Sequence, residues 1–506
     1  MQVLLTLEVG IMKVMYRQPP KRQQAIRRAV IYSIMSVIVV ALVAILIFIM
    51  LGYQFNRSDG KIEQGGLVQF DSKPTGANVS IDGASFGSQT SSKTTLTAGQ
   101  HFVTMSRSGY KTWQKSVNVV PGTVLWLNYT RLIPNDLKPS TVTQFSSVSG
   151  AIASPDDKWM AIKEEASTPI IKLADISQET PKISSLSLPI NSYTHPSAGK
   201  SEHFVLEKWD PNSRYIVVKH AYDDTKSEWL IVDSQDVART KNITKLLDID
   251  VSKLVFNGSN SSLLYVLIGT DLRKIDIDAA TLSRPLVSNV ADFSLYDNST
   301  LAYTTLLTAD TKSQSRSVGY YEDGADTPFT IRTYQDDGKT PLKISIGKYF
   351  SDIVVAINYG DEVSILKGKL PTATNPSSTS LKRIATMNIS GGAQYLSIKT
   401  NGRFVIAQNG ATFENYDVEL QKMSKASLKG SAEYTKEMPW LDNYMIWSDR
   451  DNILRFYEFD GSNQQDIMPV TSGLGVSLSP NSKYIYGILK ESDTVYRFER
   501  VKLILS

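Results

Sequence analysis

The chain is 506 residues long, 42% hydrophobic and 21% charged, with 54 Lys and Arg, 50 Asp and Glu, and no cysteine. That length allows more than one domain, and the absence of thiols excludes disulfides and soft thiolate metal sites. The formal charge of +4 is unevenly placed: the first 28 residues carry six bases and one acid, leaving 48 bases and 49 acids and no electrostatic case for nucleic-acid binding.

Residues 1–28 read as a basic cytoplasmic tail holding Lys13, Arg17, Lys21, Arg22, Arg27 and Arg28 against Glu8. Its opening run, MQVLLTLEVGI, is unlike such a flank, so Met12 and Met15 are alternative starts to Met1. Residues 29–55 contain no charged side chain. About 20 apolar residues suffice to cross a bilayer, so this run is expected to be a transmembrane helix and the chain's contact with lipid. The basic flank places the N-terminus inside and residues 57–506 outside the cytoplasmic membrane. A cleaved signal peptide fits less well, because the apolar core is too long and no small-residue cleavage site follows Leu51. A cysteine-free exported chain suits a bacterial or archaeal envelope.

After a linker at 56–65, residues 66–134 alternate apolar and polar positions in short runs broken by turns such as Asp82-Gly83 and Ser108-Gly109. That pattern predicts a small all-β sandwich. Within it Pro74-Thr75-Gly76-Ala77 forms a turn in which Pro fixes φ and Gly is free to take positive φ. Ser72, Val79-Ser80-Ile81-Asp82-Gly83, Gly99-Gln100-His101, Gly109-Tyr110 and Trp113 surround it. The set resembles the PEGA domain, with Thr75 where that family's name has Glu. The resemblance implies a β-sandwich of prokaryotic envelope and surface-layer proteins with no catalytic chemistry. Tyr110 and Trp113 are expected as core or edge cover, with a ligand platform as the competing role.

From 141 to 506 one theme recurs: a strand, a polar turn, then a strand of aromatic and β-branched residues. The clearest turns contain Pro155-Asp156, Pro211-Asn212 and Pro480-Asn481; weaker ones lie near Gly258, Asn298, Ser351, Asn401 and Asp442. The turns are spaced 38 to 56 residues apart, and a repeat of about 40–50 residues predicts the blades of a β-propeller, eight by this count or seven if the copy near Ser351 is an insertion. Several third strands end in Asp, as at Asp233, Asp276 and Asp460. The pattern resembles TolB-type and WD-repeat-like propellers, whose bacterial periplasmic members carry a Ser-Pro-Asp-Gly-Lys hairpin. Thr141–Phe145 is expected to pair with the last blade and close the ring.

Local chemistry is sparse. His101, His195, His203 and His220 show no metal-ligand spacing; His195 and His203 read as loop residues. Gly83-Ala-Ser-Phe-Gly87 has no helix after it and is no nucleophile elbow. Asp223-Asp224, Asp336-Asp337-Gly338 and Asp460-Gly461-Ser462 read as solvated turns. Catalytic, cofactor and metal residues are therefore expected to be none. Long irregular stretches at 189–202, 310–339 and 370–382 mark where a binding face would lie. The sequence predicts a non-catalytic, single-pass envelope protein that presents a propeller to a protein or a cell-wall glycan. A propeller enzyme on extracellular glycans or lactones is one alternative; a TolB-like accessory subunit of an envelope or secretion complex is another. A channel plugged by apolar residues would count against the enzyme.

Overall fold

In the computed structural model, residues 20–50, 52–56, 60–308, 314–335, 338–372, 380–399 and 401–505 are described. Most of the basic tail and all three candidate start methionines lie outside this set. The chain divides into two compact units, Met1–Arg107 with Thr112–Leu132, and Ser108–Lys111 with Ile133–Ser506.

The first unit begins with a helix, Lys21–Met50, none of whose residues is buried. It is long and apolar enough to cross a membrane, as a single-pass anchor or a signal sequence does. Its limits differ from the expected 29–55. The helix starts about two turns earlier, because Pro20 suits a first turn and Lys, Arg, Gln and Ala are strong helix formers. It ends earlier because Gly52, at φ +80°, donates to the Ile49 carbonyl (3.0 Å). Tyr53–Asn56 is then a strand paired with Lys61–Gln64, so the end of the expected transmembrane run and part of the expected linker pair as strands.

The sandwich has two sheets. One orders Ser92–Leu96, Gly66–Lys73 and Val124–Arg131, the last two parallel; the other orders Ala84–Gln89, Asn78–Ile81, Gly99–Ser106 and Trp113–Val119. Alternation sends Val68, Phe70, Val79, Val103, Met105 and Leu127 into one core between them.

The second unit is an eight-bladed propeller. Successive sheets occupy 150–187, 202–242, 253–282, 290–335, 342–388, 395–427 and 445–469, and the eighth combines 477–502 with Ser140–Phe145. The copy near Ser351 is a full blade. Blade 7 shows three regular strands; its inner strand is reduced to a bridge from Trp440 to Ile446. Ser140–Phe145 pairs antiparallel with Val495–Lys502, Phe145 opposite Tyr496, and supplies the outer strand of blade 8 as expected. Apolar clusters fill the space between neighbouring blades all the way round. Ile162 lies between blades 8 and 1, Val217 between 2 and 3, and Ile485 between 7 and 8.

Antiparallel order puts the connections between strands 1 and 2, and 3 and 4, on one face of the ring, and the others on the opposite face. The three long stretches therefore do not share a face. Residues 189–202 join blades 1 and 2, whereas 370–382 join strands 3 and 4 of blade 5, with 373–379 outside the described residues. Half of the stretch 310–339 is not loop: Ser315–Glu322 and Phe329–Gln335 are strands of blade 4, and the first does not alternate, since Val318, Tyr320 and Tyr321 are all buried. Residues 310–313 and 336–337 lie outside the described set.

Candidate functional site

The sandwich motif residues build a turn. Ser72 Oγ donates to the Pro74 carbonyl (2.7 Å) and meets Thr90 Oγ1 (2.6 Å), which accepts from the Ala77 N–H (3.0 Å). Ala77 is fully buried, Gly76 takes φ +81°, and Thr75 is exposed. Trp113 is buried, its ring edge-on to Tyr129 at 6.4 Å. Gly109 takes φ +85°, and Tyr110 is buried and bridges to Pro134. Neither aromatic offers an open platform.

The propeller turns also hold themselves. In blade 1, Ser154 Oγ donates to Asp156 Oδ1 (2.6 Å) and accepts from the Trp159 N–H (2.9 Å), and Lys158 N–H reaches Asp156 (3.1 Å). Blade 8 repeats this with Ser479, Asn481, Lys483 and Tyr484 at 2.8, 3.0 and 3.0 Å. In blade 2 Asp210 takes the serine's place, accepting from the N–H groups of Asn212, Arg214 and Tyr215. Pro155, Pro211 and Pro480 initiate these turns. The turns also link sideways. Ser213 Oγ accepts from Asp156 N–H (3.1 Å), and Asn212 donates to Ser261 Oγ (2.9 Å). Asp157, at φ +57°, accepts from Ser477 Oγ (3.4 Å), and burial pushes its carboxyl up to about 6. Asp233, at the end of a third strand, caps the next turn through Gln235 N–H (3.0 Å) and pairs with Arg214 (2.6 Å).

The first strands of the blades surround a channel containing two cavities. One, of about 290 Å³, is lined by Lys253, Asp292, Phe293, Thr304, Lys343, Gln394, Tyr395 and Glu437. The other, of about 450 Å³, is lined by Ala151, Ile152, Glu207, Lys208, Trp209, Lys436, Glu437, Trp447 and Asp449. Glu437 borders both. The lysines reach from blade to blade: Lys208 Nζ donates to the Leu254 carbonyl (2.9 Å), and Lys253 Nζ to Asp292 (2.6 Å) and the Phe293 carbonyl (2.6 Å). Lys436 pairs with Asp449 (2.7 Å). Burial, and next the neighbouring Lys253, lowers the Lys208 ammonium. Glu437 is open to channel solvent yet ringed by protein atoms. This enclosure raises its carboxyl against the opposing pull of Lys343 and Ser397. The channel is thus neither plugged with hydrocarbon nor lined by one sign of charge. Among the described residues no three His, Asp or Glu side chains group to hold a metal ion.

A separate cluster sits in blade 2. His220 is fully buried, with Nδ1 2.9 Å from Glu228 and Nε2 3.0 Å from Glu202, stacked between Phe204 and Tyr222. Thr194, in the 189–202 connection, donates N–H (2.6 Å) and Oγ1 (2.8 Å) to Glu228. His195 lies in that connection, as expected. His203 does not: it is on strand Glu202–Trp209 and faces outward, because the strand starts one residue before it. His101 bonds Asp82 (2.7 Å).

Residues 66–132 match the model of the PEGA domain. No curated protein matches the chain. Among solved structures, oligogalacturonate lyase in complex with manganese is similar at 10% identity and TM-score 0.40, covering 72% of this chain and 98% of that one. Apo AztD from Citrobacter koseri is similar at 11% identity and TM-score 0.38, covering 79% and 96%. The Cps50 (Swd1) β-propeller domain of Myceliophteria thermophila is similar at 12% and 0.38, covering 73% and 100%.

The PEGA-domain motif and the propeller turns were readable because each is local. The channel residues were not: Lys208, Lys253, Asp292, Lys343 and Glu437 come from different blades. The available signal was a charged residue a few positions before successive turns, as Lys208 stands before Pro211.

Proposed function

We propose that this chain is a non-catalytic binding protein of the cell envelope. Its helix anchors it in the cytoplasmic membrane with the N-terminus inside, the PEGA domain follows outside, and the propeller binds a protein or cell-wall glycan. The observation that carries this reading is the channel. It is open, yet Asp292 and Asp449 are neutralised by Lys253 and Lys436, leaving donors and acceptors arranged for a polar ligand.

The test is binding by the full chain in detergent, measured calorimetrically with cell-wall fragments and by photo-crosslinking in envelopes from position 395. Lys343→Glu and Glu437→Lys are expected to weaken whichever ligand binds. Binding that ignores both variants overturns the reading. The raised Glu437 carboxyl favours a second reading, a general acid in a glycan-cleaving enzyme. Product released from wild type but not Glu437→Gln would establish that instead. An accessory subunit of an envelope complex would show as a crosslinked protein with no glycan heat. Tail-side and propeller-side protease sites, probed in intact cells, check the orientation.

A further inference from the structure

Residues 60–132 expose five large apolar side chains: Ile62 (68%), Phe102 (43%), Val120 (47%), Val124 (41%) and Trp126 (40%). Scattered singly, such residues need no explanation. These are not scattered. Val120 follows strand Trp113–Val119, and Val124 opens strand Val124–Arg131, with Trp126 two residues on and on the same face. Phe102 stands three residues into strand Gly99–Ser106, whose first residue pairs with Val119. Ile62 lies two residues before Gln64 in the hairpin that follows the helix. Ile62, Val120, Val124 and Trp126 therefore belong to one end of the sandwich, and Phe102 stands nearer mid-strand, opposite Ser116. The opposite end, with Lys73, Thr75 and Arg107, exposes none.

That end is where the helix arrives. The Gly52 carbonyl, two residues past the helix, accepts from Gly65 N–H (2.9 Å), and the Gly65 carbonyl accepts from Gly122 N–H (2.9 Å). Two hydrogen bonds thus join the helix exit to the Val120–Val124 turn. Gly66 is close-packed here as well: a Cβ on it would fall 2.7 Å from Val119 Cγ1 and from the Val120 carbonyl.

We propose that this apolar end of the sandwich rests in the outer interfacial layer of the bilayer. Val120, Val124 and Ile62 enter the acyl boundary, and Trp126 sits at headgroup level, where the amphipathic indole is favoured. The bilayer is the occupant because the helix that crosses it ends two hydrogen bonds away. The inference rests on the helix being a retained membrane anchor.

The chain has no native cysteine, so single labels are unambiguous. Val120→Cys, Thr75→Cys and Val37→Cys would each carry an environment-sensitive fluorophore in the full chain, reconstituted into phosphatidylcholine–phosphatidylglycerol vesicles. Quenching is read with aqueous iodide and with spin-labelled lipid. The label at 120 is expected to be quenched by lipid several-fold more than that at 75, and by iodide several-fold less. Equal iodide access at 120 and 75, with the label at 37 quenched by lipid, overturns this proposal and leaves the anchor standing. A label at 37 that lipid does not quench overturns both. A label at 120 shielded from iodide but untouched by lipid means a second copy covers the surface, and the proposal fails.

Discussion

The PEGA-domain sandwich and the propeller are both all-β, but they distribute their stability differently. The sandwich has one core, and residues far apart in sequence meet in it; Gly66–Lys73 pairs with strands on both sides, one of them parallel. The propeller has no single centre. Each interface between neighbouring blades has its own apolar cluster, and a blade buries its surface only against its neighbours. One unit is specified by a few residues in a fixed place. The other is specified by a theme that tolerates drift, as the reduced inner strand of blade 7 shows.

The largest test of this contrast is calorimetric. Phe498→Ala, at the blade 8–blade 1 cluster, and Phe70→Ala, in the sandwich core, both remove fully buried rings. Each is expected to cost about 3–5 kcal/mol. Phe498→Ala should lower only the propeller's transition and Phe70→Ala only the sandwich's; a joint shift would dissolve the distinction between the units.

The next effect is pH-dependent and belongs to the propeller. Burial alone would raise the Glu228 carboxyl, but hydrogen bonds from His220, Thr194 and Asn242 together bring it down to about 2. A depressed carboxyl stabilises the fold above its free value near 4.5, and that contribution is lost as pH falls through about 2. About 3 kcal/mol is at stake across that window. Glu228→Gln is expected to flatten the acid limb of the melting-temperature profile.

Asp157 runs the other way. Raised to about 6 by burial, it favours the fold below its free value of 3.8 and loses that contribution as pH rises through about 6. Asp157→Asn should match wild type at pH 4 and exceed it by about 1 kcal/mol at pH 7, since partial exposure screens the charge. Thermal melts at the two pH values check the crossing.

An effect of similar size is expected in the sandwich. Gly76→Ala places a Cβ in ordinary contact with Gln89 (3.8 Å), so its cost of about 1 kcal/mol comes from φ +81° alone. Only the sandwich transition should move.

The extent to which the sequence could be read follows from the same contrast. Pro74–Ala77 and Ser154–Lys158 are contiguous turns, so their roles are written in adjacent letters, although Thr90 also holds the first. All eight turns lie between the first and second strands of successive blades, which is why spacing narrowed the count to eight or seven. Glu437 and Lys343 share a cavity through ring closure, and no window of sequence contains both. His220 was visible as a residue, but its partners Glu202 and Glu228 come from flanking strands. The hairpin of blade 4 was hidden because its first strand, with Val318, Tyr320 and Tyr321 all buried, does not alternate.

The pairing of Ser140–Phe145 with Val495–Lys502 joins residues 360 positions apart, Ser140 to Arg500. Order of synthesis thereby becomes order of assembly. Inner blades can stack as they emerge, whereas the first strand waits with bare N–H and C=O groups until the last has been synthesised. During that interval a neighbouring chain's residues 495–502 offer the same hydrogen bonds as the chain's own. A reciprocal exchange between two copies would complete both rings, so the crowding of nascent chains sets the ratio of closed monomer to swapped dimer.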